Sequence, residues 1–423
     1  MKKWIIAALA LSLQGCFTIV TEDKELPEEE KLPDYLTPEN DITVVTGLAY
    51  PEDTDWSLTG LDSPRARVVM YMDRELKANV SADPAAGKAC CDPYMHFHSG
   101  GRLYCVNHSD NGTMLTRNGE DALWFKDIKY PVKILDDGTR LLTLWENEGG
   151  HGFVAMKNEE IIRSDPSGTL FRNVGVDDNG NLCYFYSTQV KTSSGILPQY
   201  FYANSEEVIQ MDLPKGLNPV YGLFKNGESF IAICQNEENK SSFELYNTLD
   251  NKHFTFMPKG EGGVAPLSFD APSLISCCVK FNFSQKEWTA VMLDGYVRED
   301  WDGNDYAVGF HRVDEFVAGV RKSRLKDGRD ILLRRSARDT LPKGYTVFCD
   351  EAVCIDREGH AKIGLSSKTG GKALLWSDGE IDTLGFRGIV TGVHMLEREK
   401  KEEVQTIRTT KPTEGRNHIF TPS

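Results

Sequence analysis

Apolar and polar positions alternate over short runs along this chain, and each run breaks at a polar tip and resumes beyond it, with a period of about 43 residues. The copies are 68–75 (VVMYMDRE), 113–120 (TMLTRNGE), 152–159 (GFVAMKNE), 200–207 (YFYANSEE), 243–250 (FELYNTLD), 288–295 (WTAVMLDG), 331–338 (ILLRRSAR) and 372–379 (KALLWSDG). Strand-length alternation into an Asn-Gly, Asp-Gly or similar tip is a hairpin signature, because those residues accept the positive φ of tight turns. Ahead of most copies lies a second strand pair, as in 132–145 (VKILDDGTRLLTLW) and 174–186 (VGVDDNGNLCYFY). Four short strands per unit, repeated, predict an all-β chain folded as a β-propeller.

Eight hairpins require eight first strands, and the termini must share one unit. Segment 42–49 (ITVVTGLA) matches a second strand, 67–80 supplies a third and fourth, and 388–396 (GIVTGVHML) supplies the missing first. The expectation is an eight-bladed ring closed by a C-terminal inner strand on N-terminal strands; seven blades with one hairpin outside the ring is the alternative. Such closure ties down chain ends and removes an open sheet edge. The blades fall near 82–128, 129–170, 171–216, 217–262, 263–303, 304–344 and 345–385, plus the shared one, so the propeller spans 41–397. The remaining 398–423 form a charged, then weakly strand-like tail.

The first residues, MKKWIIAALALSLQGC, carry two lysines, an apolar stretch over 4–13 and a small residue before Cys16. That stretch is too short for a permanent membrane helix and reads as a signal peptide over 1–15. Leu13-Gln14-Gly15-Cys16 resembles the bacterial lipobox, with Gln14 departing from the small or apolar residue usual there. The resemblance implies acylation of Cys16 and an outer-membrane lipoprotein, on the periplasmic side or at the cell surface. Residues 16–40, rich in Glu, Asp and Pro, bury too little to order and form a flexible acidic tether. Their acidity resembles the export signals of Bacteroidetes surface lipoproteins, and Asp339-Thr340-Leu341 and Asp382-Thr383-Leu384 resemble O-glycosylation sites of the same bacteria. The lipobox and repeats together resemble the lipoprotein propellers of Bacteroidetes, many with no assigned activity. That resemblance implies architecture and location, not chemistry.

Composition narrows the partners. A net charge of −15 argues against nucleic acid, which is bound by clustered Lys and Arg. The densest basic run, 321–338, spans a loop and a hairpin that leave most of its cations in water. Of the ten cysteines, Cys105, Cys183, Cys234 and the Cys277-Cys278 pair fall on the second strand of their units, where a small soft side chain suits a tight core. Cys349 and Cys354 are close enough in sequence to bridge one hairpin, and Cys90-Cys91 lie in a connection. No Cys-x-x-Cys or Cys/His ligand spacing is present, and no resident metal is expected.

First strands line a propeller's channel, and histidines gather on them: His96 and His98 on one, His311 on another, His394 on the closing strand. His96 and His98, two apart, share a side. With His311 or His394 they can converge on a metal or a base for uronic-acid chemistry; the alternative is hydrogen bonding between blades. Asp136-Asp137-Gly138 and Asp177-Asp178-Asn179-Gly180 have the spacing of turns. Asp300, Asp302 and Asn304 offer alternating oxygens for calcium without a closing Glu. Trp145, Trp288 and Trp376 sit within strands as core, while Trp56, Trp124 and Trp301 fall near connections, where a ring can stack on sugar. No Gly-x-Ser-x-Gly elbow, P-loop or dinucleotide fingerprint occurs, and no catalytic residue is assigned. The expected function is therefore a lipid-anchored, non-enzymatic binding module for a protein partner or a glycan. A polysaccharide lyase or hydrolase with its site at the channel mouth is the alternative.

Overall fold

The computed structural model describes residues 41–396 apart from 57–64, 84–89 and short stretches of other connections; between 214 and 310 it describes strand backbone alone. Among these residues the chain is almost entirely strand, in consecutive antiparallel meanders. His96–Ser99, Arg102–Ser109, Gly112–Arg117 and Glu120–Phe125 form one four-stranded sheet. Lys129–Asp136, Leu141–Asn147, Phe153–Lys157 and Glu160–Asp165 form the next. In the third, the first strand is split into Thr169–Leu170 and Gly175–Val176, both pairing with Leu182–Thr192 before Gly195–Ala203 and Val208–Met211 follow. Three further meanders begin at Leu217–Asn226, Gly262–Ser268 and Asp305–Val313. Sheets made of neighbouring strands in sequence order, one after another, make the protein a β-propeller.

The remaining sheet has eight strands and contains both ends of the described chain. Glu380–Leu396 runs through two units: its first part pairs with Lys372–Ser377, and from Gly388 onward it pairs with Ile42–Ala49, from Gly388 opposite Ala49 to Leu396 opposite Ile42. Gly388 marks the change of partner. Its φ is +157°, and a Cβ there would lie 1.8 Å from the Leu48 carbonyl oxygen, so the crossing requires glycine.

Four of the repeated tips are two-residue turns with left-handed backbone at both centres: Asp73-Arg74, Asn118-Gly119, Asn158-Glu159 and Asp378-Gly379. The Asp or Asn does more than tolerate that conformation. Its side-chain oxygen accepts from the N–H that opens the second strand of its own unit: Asp73 from Thr43 at 2.9 Å, Asn118 from Leu103 at 2.9 Å, Asn158 from Leu141 at 2.7 Å and Asp378 from Ala361 at 3.4 Å. Each tip N–H also donates to the carbonyl of that same residue. The hairpin tip therefore pins the adjacent strand and sets its register.

First strands carry a recurrent bulge. The residue left out of the pairing is Val132, Val220, Leu267, Gly309 or Thr391 in five different units. In three of them it follows a proline, Pro131, Pro219 or Pro266, which a first strand accepts because it is a sheet edge and a bulge spares the ladder a donor.

Alternation sends successive side chains of one strand into two different cores. Leu144 packs toward the sheet that follows, with Phe153, Tyr184 and Tyr186. Trp145, fully buried, packs toward the sheet before it, with Phe125 and Tyr104. Its Nε1 donates to Thr143 Oγ1 at 2.8 Å, which satisfies the indole inside the core. Cys105 and Cys183 are buried on second strands as expected, and Cys234 and Cys277-Cys278 lie on second strands too. The expected Cys349–Cys354 bridge is not formed. Both are free thiols: Cys349 precedes a single helical turn at Asp350–Ala352, and Cys354 lies beyond it on Val353–Ile355. Burial pushes both up to about 11, away from reactivity.

Candidate functional site

The four histidines lie on first strands, His96 and His98 on His96–Ser99, His311 on Asp305–Val313 and His394 on the closing part of Glu380–Leu396. Phe97 points into the core with Tyr104 and Trp145. His96 and His98 therefore turn together toward the strand 380–396, whose bulge aims Thr391 at them. His96 Nδ1 lies 3.1 Å from the Pro93 carbonyl, to which it donates, and Nε2 is hydrogen-bonded to Thr391 Oγ1 at 2.7 Å. Thr391 Oγ1 in turn lies 3.1 Å from Thr46 Oγ1. The rings of His98 and His394 stack, with centroids 4.5 Å apart and planes at 24°. Unlike His96, both leave a buried Nε2 without a hydrogen-bond partner among the described residues.

His311 stands on the sheet two units away and accepts the Ile355 N–H on Nδ1 at 3.0 Å, which in a neutral ring places the proton on Nε2. The single helical turn that splits the first strand of the intervening unit presents Glu351. Five units thus contribute to one polar surface: Lys133, His96 with His98, His394, Glu351 and His311. Their mutual influence is visible at His394. Burial, reinforced by the positive charge of Lys133 and by His311 and His96, lowers it to about 4 against the opposing pull of Glu351. Burial likewise lowers His96, His98 and His311. Burial thus keeps the four imidazoles in their neutral form at neutral pH.

This arrangement makes stability pH-dependent in one direction. The four folded-state values lie below the 6.5 of a free imidazole, so the unfolded chain takes up protons first as pH falls. Stability is full above about 6.5 and declines toward about 4. The melting temperature is expected to fall between about pH 6.5 and 5, above the range of ordinary carboxylates. A melting temperature constant over that interval would contradict buried neutral histidines.

The other expected site residues scatter. Trp56 is partly buried, packing edge-on against Tyr50 with ring centroids 5.5 Å apart and lying over Gly370. Trp124 lies in the outer strand Glu120–Phe125, opposite Met114 and next to the strand's last residue. Trp301 ends the strand Tyr296–Trp301, and Asp300 precedes it; the side chains of both lie outside the described residues, as do Asp302 and Asn304. Thr340 and Thr383 are exposed on outer strands.

Two features had no distinguishing sequence signal. Asp356, Glu358 and His360 bring three ligand-type atoms within 4.8 Å of one another. The Asp356 carboxylate is engaged there by the Glu358 and His360 N–H groups, the pattern of an Asx turn. Asp136, read as a turn residue, is buried between two sheets, where it pairs with Arg102. Among the described residues no helix is long and apolar enough to cross a membrane.

No family model and no curated protein matches this chain. Among solved structures it is similar to a eukaryotic initiation factor, at 8% identity over 85% of this chain and 99% of that one, with a TM-score of 0.45. It is also similar to the β-propeller domain of the Trilobed protease from Pyrococcus furiosus, described as having an open velcro topology (9% identity, 71% and 91% covered, TM-score 0.43). A third is the periplasmic gluconolactonase of Pseudomonas aeruginosa (10% identity, 84% and 99% covered, TM-score 0.36). None of these likenesses bears on chemistry.

Proposed function

We propose that the protein is an exported β-propeller, anchored through a lipid on Cys16 and held off the membrane by the tether 16–40, that binds a glycan at its axis without transforming it. The ring in this reading has eight blades, the last closed by 388–396 on 42–49. The supporting observation is the surface assembled from Lys133, His96, His98, His394, Glu351 and His311. Neutral imidazoles and hydroxyls flanked by single opposite charges offer many donors and acceptors with little net charge, the chemistry that recognises hydroxyl-rich ligands. His96 and His311 are already engaged in hydrogen bonds that orient them, so the surface is rigid before a ligand arrives.

The second reading, a polysaccharide lyase or hydrolase, draws support from the convergence of His96, His98 and His394, since a base for uronic-acid chemistry must stand among groups that hold its partner. A panel of neutral and uronic-acid glycans, screened by thermal shift and by chromatography of the incubated glycan, separates the two. The binding module predicts a raised melting temperature with the glycan recovered intact. Shortened or unsaturated products would replace it with the enzyme, and no shift with any glycan would leave a protein partner as the ligand of the exposed faces.

A further inference from the structure

We propose that His98 and His394 form a binding site for a divalent transition-metal ion of the zinc class, held at the seam between the first described sheet and the strand that joins the two ends of the chain. The site goes beyond glycan binding and does not depend on it. Its starting point is a pair of polar atoms that no described residue satisfies: Nε2 of His98 and Nε2 of His394 are both buried and both without a hydrogen-bond partner among the described residues, on rings whose centroids are 4.5 Å apart. Buried imidazole nitrogens are ordinarily paired, and two adjacent orphans on an otherwise polar wall point to an absent occupant. An ion bridging both nitrogens satisfies each of them at once.

The surroundings fit a cation bound by imidazole. Glu351 supplies an anion whose field reaches His394 and His96 and offsets the charge of the ion. On the same two strands His96 is anchored on the Pro93 carbonyl and on Thr391, the residue left out of the ladder by the bulge. Space is reserved as well. A Cβ added to Gly392 would lie 2.7 Å from His394 Nε2 and 2.8 Å from Thr46 Oγ1, so the glycine keeps open the volume beside the nitrogen. Imidazole donors select zinc, nickel and copper over magnesium and calcium. With two protein ligands, the remaining positions are left to water or to an arriving ligand.

The exposed turn Asp356, Glu358 and His360 is the natural control, because its carboxylate already serves its own backbone. The test is calorimetric titration of the full chain with Zn2+, repeated on His98→Ala, His394→Ala, Gly392→Ala and His360→Ala, with thermal melting of each metal-free variant to verify folding. One equivalent of zinc is expected to bind, with affinity reduced by more than about tenfold in the first three variants and unchanged in His360→Ala. Gly392→Ala retains every ligand and fills only the reserved space, so it decides the matter if the histidine variants fail to fold. The Co2+ form of the wild type is expected to show bands of nitrogen and oxygen ligands alone. Absence of binding, binding undiminished in Gly392→Ala and in the folded histidine variants, loss in His360→Ala alone, or a thiolate-to-cobalt band would each overturn the proposal.

Discussion

Replacement of Asp136 by alanine is expected to cost about 3–5 kcal/mol of folding stability, measured by chemical denaturation, the range for removing one partner of a buried ion pair. Asp136 closes the first strand of one sheet, and Arg102 opens the second strand of the sheet before it. Their Oδ2 and Nη1 atoms are 2.5 Å apart, with side chains only 4% and 9% exposed. Tyr104 donates to the same oxygen at 2.5 Å, and the Gly138 N–H donates to Oδ1 at 2.8 Å. Alanine removes the carboxylate that the Arg102 guanidinium and the Tyr104 phenol share between the two sheets. Asp136→Asn retains shape and the Gly138 bond and is expected to cost less. Tyr104→Phe removes one hydrogen bond and is expected to cost about 1 kcal/mol. A loss for Asp136→Ala no larger than that for Tyr104→Phe would show that the pair does not hold the two sheets together.

A chain ending at residue 387 is expected to lose cooperative folding. It lacks the strand that pairs with Ile42–Ala49 over its whole length, and with it Ile389, Val390 and Val393, all buried. Each such side chain is worth about 1.5–3 kcal/mol, so the sum approaches the 5–15 kcal/mol or so that holds a whole domain together. Val390 is seated tightly: a Cβ on Gly364 would meet its Cγ1 at 2.2 Å. The truncation also frees an N-terminal strand edge, which invites association. Far-UV circular dichroism on heating and size-exclusion chromatography read both effects. A sharp melt at the wild-type temperature would mean that the two ends do not depend on each other and would count against the proposed ring closure.

The hairpin tips were legible because a tight turn is a local event. Asn118 and Asp378 each precede a glycine, and positive φ at both positions follows from those residues alone. The second bond made by the same side chains, back to Leu103 and Ala361, was not legible, since it depends on a strand 15 or 17 residues away. The prolines at 131, 219 and 266 were visible but carried no assignment until the bulges beside them were seen. Among candidate site residues, the histidines stood out because four of the nine in the chain fall on first strands, where the structure also places them. The partner of Trp56 was not legible: it lies near a connection and packs on Tyr50, because closeness to a loop in sequence says nothing about which surface lies above it.

Alternation, period and turn residues in the chain were enough to specify four-stranded units and their order, because strand and turn preferences are read out over a few residues. Which side chains meet across units was settled by packing in space. Asp136 has the same local sequence appearance as any turn aspartate, and its pairing with Arg102 exists only because two sheets press together. His98 and His394 stand 296 residues apart, and their stacking depends on a strand crossing, a bulge at Thr391 and the space beside Gly392. Contacts of that range arise from the sum of many packing energies, none of which is written at either position.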